Sequence, residues 1–215
     1  YQALNITYPY KEYVTPKVEI DDPMVRAIAA VNTVVFDRTS SKAYNTDYTG
    51  FIAAYEHMRA GAKPGVCCLV GTGGVGRALA FGLVKLGADE IRLFDRDNAK
   101  AQQLAYDLNA LDPQTVVTAA DDLDVATANC DGLLNGTPLG MVGYPGSAFE
   151  PKAIANAAWV FDAVYTPIET MFLQNAKAAG AQIISGYELF FFQGVHAWRH
   201  FSGHDVDADK LRAAL

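Results

Sequence analysis

The sequence predicts a mixed α/β protein organised on a doubly wound parallel sheet, and three observations predict it. Residues 66–70, Val-Cys-Cys-Leu-Val, are five small apolar residues in a row, as expected of a parallel strand buried on both faces. That run passes directly into Gly71-Thr72-Gly73-Gly74-Val75-Gly76, and an apolar helical pattern (Ala78, Leu79, Phe81, Leu83, Leu86) follows until Gly87 stops it. From residue 91 onward, strand-like and helix-like segments alternate almost to the end of the chain, as βαβ units do.

In chain order, Leu4 and Ile6 predict a short extended piece, followed by Pro9 and a helical turn that carries Lys11. Residues 23–31 read as a short helix and the β-rich run 31–36 as a strand. Polar turn chemistry at 44–50 precedes a helix with Phe51, Ile52, Ala54, Tyr55 and Met58 on its apolar face, closed by the glycines between 61 and 65. After the 66–70 strand and its helix come a strand at 91–94 ending in Asp95, a helix at 98–111 and a strand at 116–118. Strands at 132–135, 159–164 and 182–185 follow, with a loop at 136–141 and a helix at 168–179. Residues 187–200 are aromatic on most sides and predict a largely buried helix; Tyr8-Pro9-Tyr10 and Phe190-Phe191-Phe192 are expected to share a core and join the chain ends.

Composition bounds the function. With 215 residues, 51% hydrophobic and 19% charged, the chain can bury a proper core in one or two domains. The net charge of −7 comes with no basic cluster, which argues against a nucleic-acid partner. No apolar run is long enough for a membrane span. Cys67, Cys68 and Cys130 have no metal spacing and read as reduced core thiols, which suits a cytoplasmic protein. His196 and His200 stand four apart, but no glutamate completes a zincin motif, so no metal is expected.

The glycine run carries the chemistry. A glycine-rich turn alone occurs in many α/β proteins; here the preceding strand, the following helix and a second strand ending in Asp95 supply the context that a Rossmann dinucleotide site requires. Gly71 would permit the tight turn, Gly73 would let a pyrophosphate approach the backbone, and Gly76 would let helix and strand pack closely. The helix N-terminus offers free N–H groups to the phosphates, and Asp95 would accept hydrogen bonds from ribose hydroxyls.

Six stretches together resemble the shikimate/quinate dehydrogenase family: residues 4–11 (LNITYPYK), 30–34 (AVNTV), 45–50 (NTDYTG), 71–78 (GTGGVGRA), 135–141 (NGTPLGM) and 187–194 (YELFFFQG). They follow the family's order and cover nearly the whole chain. The resemblance implies a Rossmann-type doubly wound sheet plus a truncated α/β substrate domain completed by the C-terminal helix. The implied division is 1–48 for an N-terminally incomplete substrate domain, 49–186 for the NAD(P)-binding domain and 187–215 for helices returning to the substrate domain. It also implies hydride transfer between the 3-hydroxyl carbon of shikimate or quinate and a nicotinamide cofactor.

Oxidising a secondary alcohol needs a hydride acceptor and a group that takes the hydroxyl proton. By themselves Lys11 reads as a solvated lysine and Asp47 as a helix N-cap. The resemblance makes them the catalytic pair. It further implies that Thr7, Asn32, Tyr165 and Gln193 contact substrate. Gly71, Gly73, Gly74, Val75, Gly76, Asp95, Arg96, Thr137, Ala163, Gly186 and Leu189 would contact the cofactor. Relatives carry a further stretch before the Asn-Ile-Thr motif, with two serines for the substrate carboxylate. Tyr1 begins almost on that motif, so residues 1–215 are expected to bind NAD(H) and turn substrate over poorly without the stretch. Asp95 beside Arg96 predicts NAD over NADP, with NADP the second choice. The expected setting is a monomer or homodimer acting on a small molecule in the cytoplasm. The competing readings are a non-catalytic NAD(H)-binding module and a methyltransferase; Lys11, Asp47 and Gln193 argue against the first, and Gly140-Met141 with the order of the later strands against the second.

Overall fold

A computed structural model describes residues 1–215. Its first part is a three-stranded antiparallel sheet of β1 (Ala3–Asn5), β2 (Thr33–Phe36) and β3 (Ser41–Tyr44), in that spatial order. Two short helices, α1 (Lys11–Val14) and α2 (Pro23–Ile28), lie between β1 and β2 in the chain. Pro23 starts α2 where no amide donor is needed, and the Asp22 side chain caps it by accepting from the Met24 N–H. The helix ends at Ala29, whose φ of +56° is left-handed, so it stops short of the predicted 31 and β2 begins only at Thr33. Val25, Val31, Val34 and Ala43 make a small core under this sheet.

Helix α3 (Thr46–Arg59) leads to the second sheet, whose strands are β4 (Val66–Val70), β5 (Glu90–Phe94), β6 (Val116–Ala119), β7 (Gly132–Asn135), β8 (Trp159–Asp162) and β9 (Gln182–Ile184). All pairings are parallel and the order is β6-β5-β4-β7-β8-β9, the doubly wound arrangement whose order reverses between β4 and β7. The intervening helices are α4 (Gly74–Lys85), α5 (Asn98–Leu111), α6 (Leu123–Thr127), α7 (Pro151–Ile154) and α8 (Met171–Ala179).

Strand β4 shows why its sequence has no polar alternation. Cys67 and Leu69 point into a core with Phe51, Tyr55, Leu79, Phe81 and Trp159, while Cys68 and Val70 point into another with Leu133, Phe149, Val160 and Phe172. Trp159 is fully buried, its indole N–H donates to the Pro64 carbonyl at 3.0 Å, and Tyr55 meets it edge-on at 5.1 Å. Truncating such a residue costs about 3–5 kcal/mol. The three cysteines are free and buried, and burial pushes their thiols up, to about 11 for Cys130.

Helix α9 (Gly186–Ser202) packs along α3 and reaches β2, and α10 (Ala208–Ala214) is tied to it by a two-pronged Arg212–Glu188 pair at 2.7 and 3.1 Å. Five predictions change here. The strand expected at 159–164 ends at Asp162, whose side chain binds the Val164 N–H and turns the chain. The strand at 182–185 ends at Ile184 because Ser185 opens α9. The helix expected from 168 starts at Met171, capped by Thr170, which accepts from the Leu173 N–H. The aromatic helix is buried only along Gly186, Leu189, Phe191 and Ala197, since it packs mainly on one side, and Phe190 and Trp198 are half exposed. Tyr8 and Tyr10 are also exposed, so the two aromatic runs share no core; His200 stacked on Tyr44 at 3.7 Å joins α9 to the small sheet instead. No helix is long and apolar enough to cross a membrane.

Candidate active site

The glycine loop sits at the carboxyl ends of β4 and β7, where a doubly wound sheet opens a crevice. Gly71 has a φ of +92°, and a Cβ there would press on Thr137 and Gly136 of the next loop, so both conformation and space demand glycine. A Cβ on Gly76 would collide with the Gly71 carbonyl, which is the close packing expected of the third glycine. A Cβ on Gly73 would find only Glu12 Oε1, at 3.8 Å, so the backbone there lies open to a ligand. No side chain caps α4 at Gly73, and its first-turn N–H groups remain available for an anion, Val75 and Gly76 among them. These features fit a dinucleotide pyrophosphate.

Asp95 follows β5 and holds the loop from the side: Oδ2 accepts from the Thr72 N–H at 2.7 Å and the Thr72 hydroxyl at 2.9 Å, and Oδ1 from the Asp97 N–H at 3.0 Å. Burial pushes its carboxyl up, but the Asp97 and Thr72 donors outweigh that and hold it below the ordinary range. Asp95 therefore shapes the glycine loop. Arg96 beside it is exposed with no partner in the chain. Thr137 binds Asn135 Oδ1 through its hydroxyl at 2.6 Å, and Ala163 donates to the Asn135 carbonyl at 2.9 Å, so both line the same end of the sheet. Gly186 opens α9 against Val164, and Leu189, one turn on, is buried in the main core.

Lys11 and Asp47, 36 residues apart, meet with Nζ 2.5 Å from Oδ2, and their side chains are 11% and 7% exposed. Lys11 is the first residue of α1, with Pro9 outside the helix, and its carbonyl accepts from the Val31 N–H at 3.1 Å. Asp47 does not precede its helix as an N-cap: Asn45 caps α3, accepting from the Tyr48 N–H at 2.9 Å, and Asp47 lies in the first turn, where the helix dipole favours a carboxylate. Asn45 outcompetes it because its amide also donates to the Ala30 carbonyl, which fixes the turn. The Lys11 side chain rests against Gly74; a Cβ there would be 3.1 Å from Lys11 Cβ and 3.5 Å from Cδ. Gly74 thus seats the lysine beside the nucleotide loop.

Asn32 is buried and bound to Thr46, its Nδ2 donating to Oγ1 at 2.9 Å and its Oδ1 accepting from the backbone N–H at 2.7 Å. Gln193 Oε1 stands 3.5 Å from the same hydroxyl because Gly50 lets the α9 backbone approach α3 closely. Asn32, Thr46 and Gln193 thus form one hydrogen-bonded group, next in the chain to Asp47 and its partner Lys11. Thr7 is exposed on the loop before α1, and Tyr165 is half exposed, stacked on Phe190 at 4.9 Å. His196 Nδ1 meets Thr49 Oγ1 at 2.8 Å and so serves the α3–α9 packing, while His200 stacks on Tyr44 of β3.

Sequence reasoning passed over two features. Arg77, within the glycine motif, reaches from α4 to the Ala27 and Ile28 carbonyls that end α2 and to Asp107 at 2.9 Å, tying the two sheets together. Asn135 and Asp162, polar residues closing two apolar strands, are both fully buried and bonded to each other at 2.9 Å. A polar residue at the carboxyl end of a buried strand was the available signal.

Comparison with known proteins places this arrangement. Residues 66–130 match the family model described as NADP oxidoreductase coenzyme F420-dependent. The chain is 37% identical over 218 residues to a quinate/shikimate dehydrogenase (NAD(+)) of Corynebacterium efficiens, covering 100% of this chain and 77% of that protein. A shikimate dehydrogenase (NADP(+)) of Pseudarthrobacter chlorophenolicus is 35% identical, over 99% of this chain and 73% of its own. Among solved structures, quinate dehydrogenase from Corynebacterium glutamicum in complex with NAD superposes with a TM-score of 0.87 at 37% identity, over 99% of this chain and 77% of that one. Shikimate 5-dehydrogenase from Thermus thermophilus, in complex with NADP(H) and shikimate, gives 0.86 at 28% identity, over 100% and 80%.

Proposed function

Since this chain belongs to the shikimate/quinate dehydrogenase family, we propose that Lys11 and Asp47 are the pair that moves the proton in its reaction. The enzyme is an NAD(P)-dependent oxidoreductase acting at the 3-hydroxyl carbon of shikimate or quinate. When bound, the nicotinamide cofactor accepts or supplies the hydride. The glycine loop, through the N–H groups of Gly73, Gly74, Val75 and Gly76, would hold its phosphates, and Asp95 would accept from its ribose.

In the oxidising direction the amine of Lys11 takes the proton from the substrate hydroxyl as the carbonyl forms, and Asp47 stabilises the ammonium that results. In reduction the ammonium gives the proton back and, until then, stabilises negative charge on the reacting oxygen. The single observation that carries this reading is the nearly buried Lys11–Asp47 pair, seated on Gly74 of the nucleotide loop. Asn32 and Gln193, which meet at Thr46 next to Asp47 in the chain, and the exposed Thr7 and Tyr165 would offer hydrogen bonds to ring hydroxyls. Asp95, with Asp97 next to it, favours NAD because their charge repels a 2′-phosphate, although Arg96 leaves NADP usable. Three free, buried thiols are in keeping with a reducing compartment, and we assign the enzyme to the cytoplasm as a monomer or homodimer acting on a small molecule. The experiment is the absorbance of NADH formed with quinate and with shikimate, for wild type and Lys11→Ala: turnover that depends on Lys11 supports the assignment.

A further inference from the structure

Asp162 is a carboxylate with no exposure and no basic partner, at the carboxyl end of β8. Burying such a group unpaired by a cation costs several kcal/mol unless hydrogen bonds replace the water. Three donors do so. Oδ1 accepts from Asn135 Nδ2 at 2.9 Å and the Val164 N–H at 3.0 Å, and Oδ2 from the Thr170 hydroxyl at 2.5 Å. Three donors and no acceptor are what an ionised carboxylate requires.

Each donor belongs to a different segment of the cleft. Asn135 also fixes the loop after β7, through the Thr137 N–H at 3.0 Å and the Leu139 carbonyl at 3.0 Å. Val164 lies against Gly186 so closely that a Cβ there would strike the Val164 carbonyl, so its position sets the start of α9. Thr170 caps α8, and its methyl stands 3.3 Å from where a Cβ of Gly140 would be, in the loop after β7. A backbone bond from the Val142 N–H to the Thr166 carbonyl at 3.2 Å joins the same two loops. These segments carry Thr137, Ala163, Tyr165, Gly186 and Leu189.

We infer that Asp162, locked by Thr170, is a positioning residue: it fixes the spacing of the β7 loop, the β8 loop and the start of α9, and so the alignment of cofactor and substrate for hydride transfer. The inference rests on the dehydrogenase reading above. Misplacement by about 1 Å is enough to cost a hundredfold in rate, so loosening one of three anchors has a measurable effect without unfolding the site.

The test compares wild type, Asp162→Asn, Thr170→Val and Thr170→Ser. Steady-state kinetics use substrate bearing hydrogen or deuterium at the reacting carbon, and NADH affinity is followed by fluorescence. In Asp162→Asn and Thr170→Val, kcat falls roughly tenfold or more and its deuterium isotope effect rises, because hydride transfer becomes the slow step, while NADH binds within about threefold of wild type. Thr170→Ser, which keeps the hydroxyl, restores both values. A purely structural role would lower thermal stability and leave the isotope effect unchanged. Should Asp162→Asn not fold, Thr170→Val, which leaves two of the three donors in place, carries the same comparison. Folded variants that match an active wild type in kcat and isotope effect overturn the role of Asp162 alone; a full-length wild type that oxidises neither acid overturns the dehydrogenase reading and this inference with it.

Discussion

Replacing Asp162 by asparagine removes a pH dependence of stability that can be worked out beforehand. Burial raises the Asp162 carboxyl from 3.8 to about 6, against the pull of its bonds to Thr170, Val164 and Asn135. Below pH 6 the folded protein therefore takes up a proton that the unfolded chain does not bind until pH falls to 3.8. Acidification through that window favours the folded state, the reverse of a salt-bridged aspartate. The full effect is about 3 kcal/mol, and between pH 7 and pH 5 it is about 1.3 kcal/mol. For a chain of this size that corresponds to roughly 3–5 °C in melting temperature. The amide of the Asp162→Asn variant does not titrate, so the difference between the two proteins isolates this group; its immediate partners are all neutral. Melting curves of both at pH 5, 6 and 7 and constant ionic strength supply the measurement. Wild type should gain on Asp162→Asn by that amount as pH falls. A flat difference, or one that shrinks on acidification, would refute the idea that Asp162 is a buried, cation-free carboxylate.

Two further outcomes follow from the nucleotide side of the cleft. Gly74→Ala favours the helix at α4 but pushes on the Lys11 stem from 3.1 Å, so kcat should drop by about tenfold with little change in melting temperature; unchanged turnover would show that Lys11 has room to give. Wild type should prefer NAD over NADP by roughly thirtyfold in kcat/KM, equal to about 2 kcal/mol, and Asp95→Asn should erase most of that ratio. A wild type that already favours NADP would mean that the unpartnered Arg96 governs the site.

The nucleotide-binding sheet was legible because its local signals agree. β4 is apolar on both faces, Gly71 needs a positive φ, Gly76 abuts the Gly71 carbonyl, and Asp95 ends the neighbouring strand. The sheet order, the family and the use of NAD or NADP accord with that reading. Element ends were less legible, since they depend on single side chains that compete for the same backbone. Asn45 takes the cap because it also reaches Ala30, so Asp47 lies inside the helix that it was expected to precede. Thr170 and Ser185 start helices inside segments whose apolar content suggested longer elements. Aromatic content misled at the last helix, where only the side facing α3 is buried and Phe190 turns instead to Tyr165. The Asp162–Asn135 bond and the Arg77 tie join residues 27 to 50 positions apart, and no spacing rule reveals such bonds.

The proton-transfer role of Lys11 is tested most directly by one pairing of measurements on Lys11→Ala in the full-length protein: kcat for quinate or shikimate oxidation and the dissociation constant for NADH. Lys11 lies outside the nucleotide sheet, with its ammonium on Asp47, so its loss should lower kcat by ~10² or more and leave NADH affinity within a few-fold of wild type. Near-normal kcat in the folded variant would contradict the account and remove the Lys11–Asp47 pair from the mechanism.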